Sequence, residues 1–194
     1  MRHFILLVFT LSIFTFSFGQ NEPASLDCGK LMNYLNTGEF DKYQTELTNE
    51  LVGSKVQPFE QYDMAGELVS SKTFDGEILV LNFWFYPCPP CLKEITSLNK
   101  LVEDYKDKDV AFVSFSRTDA ATLMAKFFTR YQLDYINLPD SKSYCSKYCF
   151  VGFPVNMIAD KNGIIQKIWF GGPMEDELSV YRNISAELDL LLEE

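Results

Sequence analysis

Cys88 and Cys91 stand three positions apart with two prolines between them, at the end of Phe83-Trp84-Phe85-Tyr86-Pro87-Cys88-Pro89-Pro90-Cys91. Two thiols at this spacing can bond to each other, and so exchange two electrons and two protons with a disulfide in another molecule. In that chemistry Cys88 is expected to be the exposed nucleophile that attacks the partner sulfur. Cys91, one helical step inside, is expected to resolve the mixed disulfide. No cofactor is needed. The competing readings of the pair are a static disulfide or half a zinc site, but a zinc site needs four ligands.

The flanking residues supply a strand and a helix to hold the pair. Ile78 to Phe85 is apolar except for Asn82, bounded by Asp75-Gly76 and Pro87, and predicts a strand buried on both faces. Beyond Cys91, Leu92, Ile95, Leu98, Val102 and Tyr105 recur at a helical period, with proline at the first helical positions. A thiol at such a helix start is drawn from about 8.5 towards ambient pH by unpaired amides and the positive dipole end. Glu94 lies one turn after Cys91 and one turn before Leu98, on their face. Held there, its carboxyl would titrate high and shuttle the Cys91 proton; the alternative is a first-turn acid that favours the helix dipole. Asn82, polar in a buried strand, must be hydrogen-bonded. Trp84 is expected to pack under the cysteine loop as core.

Of 194 residues, the first 19 read as a signal peptide. Arg2 and His3 are followed by apolar Phe4 to Phe18, and Ser17-Phe18-Gly19 offers small residues for cleavage after Gly19. An uncleaved anchor is the alternative, but the run falls short of the ~18 apolar residues that span a bilayer. Leu26-Asp27 before Cys28 makes no lipoprotein box. The product is expected in the periplasm or cell envelope. Cleavage removes the single histidine, and loss of Arg2 takes 17 basic residues to 16 against 27 acidic ones, moving the net charge from −10 to −11. That balance argues against nucleic acid and anionic membranes as partners. Without histidine there is no Cys-His or Ser-His pair and no His-ligated haem, and a zinc or copper site would be left to Cys and carboxylate.

In chain order, residues 20–51 read as a short helical extension: Leu31, Tyr34 and Leu35, a break at Thr37-Gly38, then Phe40, Tyr43 and Leu47. Val56 to Phe74 reads as a hairpin around Met64-Ala65-Gly66, and Asp109 to Phe115 as a second buried strand, parallel to the first. Thr118-Asp119 caps a helix whose Met124, Phe127, Phe128 and Tyr131 form an inward stripe. After a short strand at Tyr135–Leu138, Asp160-Lys161-Asn162-Gly163 joins Val155–Ala159 and Ile164–Phe170 as a hairpin. Leu178, Tyr181, Ile184, Leu188 and Leu191 give a closing helix its inner face.

These residues resemble the thioredoxin fold, and specifically the exported TlpA/ResA-type thiol-disulfide oxidoreductases. The resemblance covers residues 52–194. It rests on Leu81-Asn82-Phe83-Trp84, on Cys88-Pro89-Pro90-Cys91 with Glu94 beyond, on Tyr148-Cys149-Phe150-Val151-Gly152-Phe153-Pro154, and on the Asp160–Gly163 turn. It implies an α/β fold with a central mixed β-sheet flanked by helices, preceded by the N-terminal β-hairpin and the helical extension. It also implies a cis-proline at Pro154 facing the cysteines, and with Phe153 a backbone edge where an extended substrate pairs. A glutamate matching Glu94 is tied to the active site in that family. Pro87 and Phe153 depart from its usual Trp before the first cysteine and Thr or Val before the proline, so partner identity does not carry over.

The family's role implies a reductase of protein thiols and disulfides, served by a membrane-linked or soluble redox partner, with a monomer as the expected state. Two other classes compete. A metal-binding or structural envelope module would respond to Cys88→Ser in metal content or stability alone. A peroxiredoxin-type peroxidase would need a Thr-x-x-Cys context that the residues before Cys88 do not supply. Cys145 and Cys149, four apart, are expected to form a second disulfide; a redox relay and a four-thiolate metal site are the alternatives. Cys28 is an incidental or paired thiol, and five cysteines leave at least one without an intramolecular partner.

Overall fold

The computed structural model describes residues 22–172 and 176–193. The expected signal peptide, 1–19, lies outside the described residues. No helix among them is long and apolar enough to cross a membrane.

Ile78–Trp84 forms β3, in which every residue is buried. It lies in the middle of a five-stranded sheet with Val110–Ser116 (β4), Ile136–Leu138 (β5), Val155–Ala159 (β6) and Ile165–Phe170 (β7), in the order β5-β4-β3-β6-β7. β4 and β5 run parallel to β3 along one side, and β6 and β7 continue the other side antiparallel. The sheet is mixed, as expected. A separate hairpin pairs Glu60–Tyr62 (β1) with Leu68–Ser70 (β2).

Side chains two apart on a strand share a face, which divides the core in two. Leu79, Leu81 and Phe83 face an aromatic-rich cluster completed by Leu31, Tyr43, Leu47 and Tyr148. Ile78, Val80 and Trp84 face the other cluster, with Leu98, Leu101, Ile184 and Leu188. Asn82 has the parity of the second face and is the polar exception within it. The N-terminal extension is two helices, Cys28–Asn36 (α1) and Phe40–Leu51 (α2). Leu47 and Leu51 of α2 are wholly buried, each worth about 1.5–3 kcal/mol.

The helix after Cys91 is not continuous. Pro89–Lys93 (α3) and Ile95–Tyr105 (α4) meet at a break on Glu94. The stripe after Asp119 also departs from expectation. Asp119 does cap the start, accepting from the Thr122 N–H at 2.7 Å. However, Ala120–Thr122 (α5) passes into a π-helical turn, Leu123–Phe127, with Phe128 N–H bonded to the Leu123 carbonyl at 2.9 Å. The wider turn rotates the stripe. Phe127 is buried, while Met124 and Tyr131 are exposed at 58% and 37%. Lys142–Lys147 (α6) precedes β6, and Ser179–Leu192 (α7) closes the chain with Ile184, Leu188 and Leu191 inward.

Candidate active site

β3 ends at Trp84, and the next residues are clamped to β4. The Trp84 carbonyl accepts from Arg117 N–H at 2.9 Å, and Tyr86 N–H donates to Thr118 Oγ1 at 2.7 Å. The Tyr86–Pro87 bond is cis. The chain then enters α3 with Cys88 as its N-cap, where Cys91 N–H donates to Cys88 Sγ at 3.4 Å. Pro89 and Pro90 occupy the first two helical positions, whose amides a helix leaves unpaired in any case. Cys88 and Cys91 are joined as a disulfide. Trp84 packs under this loop against Phe127, with ring centroids 4.6 Å apart.

The loop before β6 meets the sulfurs from the other side. The Phe153–Pro154 bond is cis, and the Phe153 carbonyl lies 3.8 Å from Cys88 Sγ. Phe153 is held by two neighbours: Phe85 edge-on at 5.9 Å and the Arg117 guanidinium over its ring at 5.1 Å. Gly171 N–H donates to the Pro154 carbonyl at 2.9 Å, so the end of β7 braces the same loop.

The expected exposure of Cys88 is not found in the disulfide form. Cys88 is 2% exposed, no more open than Cys91 at 3%. Bonded to Cys91, its sulfur turns inward towards the α3 amide and the Phe153 carbonyl, while Pro87 and Pro89 on either side remain exposed. In the disulfide form Cys88 is therefore covered, though it adjoins Pro154.

Glu94 sits wholly buried at the helix break. Asn82 donates to its Oε1 at 2.8 Å, Asn156 donates to its Oε2 at 2.9 Å, and Asn82 also donates to Asn156 Oδ1 at 2.9 Å. Burial pushes the Glu94 carboxyl up to about 8, against the opposing pull of the two amide donors. A first-turn acid serving only the dipole would be solvated; this one is enclosed. Three positions separate it from Cys91, a helical spacing that brings Cβ atoms within about 5–6 Å. Asn156 was not foreseen as part of the site. Its signal was a lone polar residue in the apolar Val155–Ala159 strand, meaningful only once the β3–β6 register is known. Tyr135 also went unnoticed: its buried hydroxyl has no hydrogen-bond partner among the described residues, and burial and the Glu94 charge hold it well above its usual range.

The expected Cys145–Cys149 disulfide is not formed. Cys149 bonds Cys28, and Cys145 is a free, buried thiol pushed up to about 12 by burial. The reason is local. α6 ends at Lys147, and Cys149 takes a left-handed conformation (φ 56°), which leaves the helical path that would keep its side chain above Cys145. It meets the start of α1 instead. The relay and the four-thiolate site lose their basis with that pairing, and no cluster of three or more His, Cys, Asp or Glu side chains among the described residues is placed to hold a metal.

The AhpC/TSA family model matches residues 52–168, more than half of the chain. The chain belongs to the AhpC/TSA family. Among the relatives of this AhpC/TSA member, the thioredoxin-like protein YneN of Bacillus subtilis is 27% identical over 150 residues, 76% of this chain and 88% of YneN. The thiol-disulfide oxidoreductase ResA of Bacillus thuringiensis is 28% identical over 147 residues, 73% of this chain and 84% of ResA. The fold is thioredoxin-like: the crystal structure of a thiol:disulfide interchange protein, DsbE of Chlorobium tepidum, superposes with a TM-score of 0.62, covering 71% of this chain and 97% of that one at 23% identity.

Proposed function

We propose that this family member is an exported thiol-disulfide oxidoreductase that reduces disulfides in other proteins through Cys88 and Cys91. The observation that carries the reading is a Cys-x-x-Cys disulfide at a helix N-terminus, with the carbonyl before cis-Pro154 3.8 Å from the first sulfur. The names of the ResA and DsbE relatives support the same class of reaction.

In the reduced protein the Cys88 thiolate attacks one sulfur of the partner disulfide. A Cys88–partner bond forms, the partner S–S bond breaks, and the partner's other sulfur leaves as a thiolate. Cys91 then gives its proton to Glu94 and attacks Cys88, which re-forms the Cys88–Cys91 bond and releases the second partner thiolate. Two electrons pass to the partner, whose thiolates take up two protons. A carboxyl near pH 8 is poised for this, since an acid–base group works best close to ambient pH. Phe153 and Pro154 offer the backbone edge on which the partner lies. Because Cys88 is covered in the disulfide form, the loop at Pro87 or Phe153 must give way when a reductant attacks.

The test is a Cys91→Ser variant incubated with envelope extract and with a model protein disulfide. It should accumulate mixed disulfides through Cys88, and Cys88→Ser should accumulate none. A peroxide-consumption arm should show no turnover. Absence of any Cys88 adduct would refute the assignment.

A further inference from the structure

An apolar groove adjoins the exchange machinery and opens beside the cis-proline loop. Phe150 and Phe153 line it on one side, Phe170 and Gly171 on another, and Phe40 and Gln44 of α2 on the third. Its volume is about 210 Å³, below the roughly 300–1,000 Å³ of small-molecule and cofactor sites. The space suits one large side chain.

Two residues make the groove continuous with the cysteines. Phe153 contributes its side chain to the groove and its carbonyl to the 3.8 Å approach on Cys88 Sγ. Gly171 lines the groove and ties its N–H to Pro154. A chain lying along Phe153 and Pro154 therefore reaches both with neighbouring residues, each advancing about 3.3–3.6 Å when extended. The third wall is tied to the loop that carries Cys149. Tyr43 Oη donates to the Cys149 carbonyl at 2.7 Å, and the Cys28–Cys149 bond fastens the start of α1 to the same loop. Phe40 lies outside the residues matched by the family model, and the residue is 48% exposed. An aromatic residue left half in water at the mouth of an apolar groove is unmet binding surface.

We propose that Phe40 and this groove form a specificity subsite, which selects polypeptides carrying a large aliphatic or aromatic side chain within a few residues of the cysteine to be exchanged. The inference rests on the thiol–disulfide reading above.

The probes are peptides with one cysteine held as a mixed disulfide with glutathione, carrying leucine or serine at each of the three positions on either side. The readout is the second-order rate constant with the reduced full chain; glutathione disulfide, which lacks such a side chain, is the reference. Leucine at one of these positions should raise the native rate about tenfold over serine. Phe40→Ser and Phe40→Asp should abolish the preference, Phe40→Leu should restore most of it, and all three should match the native rate on glutathione disulfide. A native protein that reduces glutathione disulfide yet ignores the leucine overturns the subsite, as do variants that keep the preference. If native protein fails on glutathione disulfide as well, the oxidoreductase reading falls and the subsite with it.

Discussion

Asn82 on β3 and Asn156 on β6 are direct register partners, and their amides meet the two oxygens of a single buried carboxylate, Glu94. Sheet pairing thus fixes the acid–base group before any partner arrives. Two influences oppose each other at that group. Burial disfavours its charge, and the amide donors favour it. Burial wins, and the carboxyl rests near 8.

This gives stability a pH dependence of known sign. The folded value of about 8 lies above the ordinary 4.5. The Glu94 contribution is therefore fully present below about pH 4.5, declines as pH rises, and is gone above about 8. A difference of this size amounts to something on the order of 5 kcal/mol. Urea unfolding at pH 5 and pH 9 should show the native protein losing several kcal/mol relative to Glu94→Gln. Parallel losses in the two proteins would mean that the carboxyl titrates normally.

Asn156→Val should move the activity profile in the alkaline direction. The lost donor stabilised the charged carboxylate, so its removal raises the Glu94 value further. A hydrogen bond to a charged group is worth about 1.5–3 kcal/mol, or one to two pH units. Stopped-flow rates of mixed-disulfide resolution from pH 6 to 10 should show the rising limb displaced upward by about one unit. A uniform rate loss with an unmoved limb would leave Asn156 a packing residue only.

The sequence made some of this plain and concealed the rest, for physical reasons. β3 was legible because a strand buried on both faces must be apolar throughout, and the β6–β7 hairpin because Asn162-Gly163 suits its turn. Glu94 was visible as an acid on an apolar helical face, but its environment was not, since Asn156 joins it from 62 residues away. The cysteine pairing was hidden for a similar reason. It depends on where α1 docks and on the left-handed turn at Cys149, neither of which spacing encodes. The π-helical turn after Asp119 and the second cis bond, at Pro87, had no signal that periodicity could reveal.

Disulfide mapping offers an independent check of that pairing. Digestion of unreduced protein should yield Cys28–Cys149 and Cys88–Cys91 peptides. Cys145 should resist iodoacetamide at pH 8 until the protein is unfolded, because its buried thiol remains protonated. A Cys28→Ser/Cys149→Ser variant removes a cross-link across 121 positions and should lose about 2–5 kcal/mol in urea unfolding. A Cys145–Cys149 peptide in the native digest would reverse the assignment.

Gly172 offers the sharpest steric test of the active-site frame. A Cβ placed there would lie 2.5 Å from the Pro90 carbonyl oxygen and 3.0 Å from its carbon, both backbone atoms of α3. Backbone in the first turn of a helix cannot step aside as a flexible side chain can. Gly172→Ala must therefore displace either the strand exit at Gly171, which braces Pro154, or the helix start that carries Cys91. Overpacking of this kind costs about 1–3 kcal/mol. A shift of about 1 Å between the two halves of the site lowers a rate on the order of 100-fold. The expected outcome is a folded variant whose rate with glutathione disulfide falls by at least tenfold. Native rates and native stability together would show that the loop and the helix do not meet as closely as the Gly172–Pro90 contact requires.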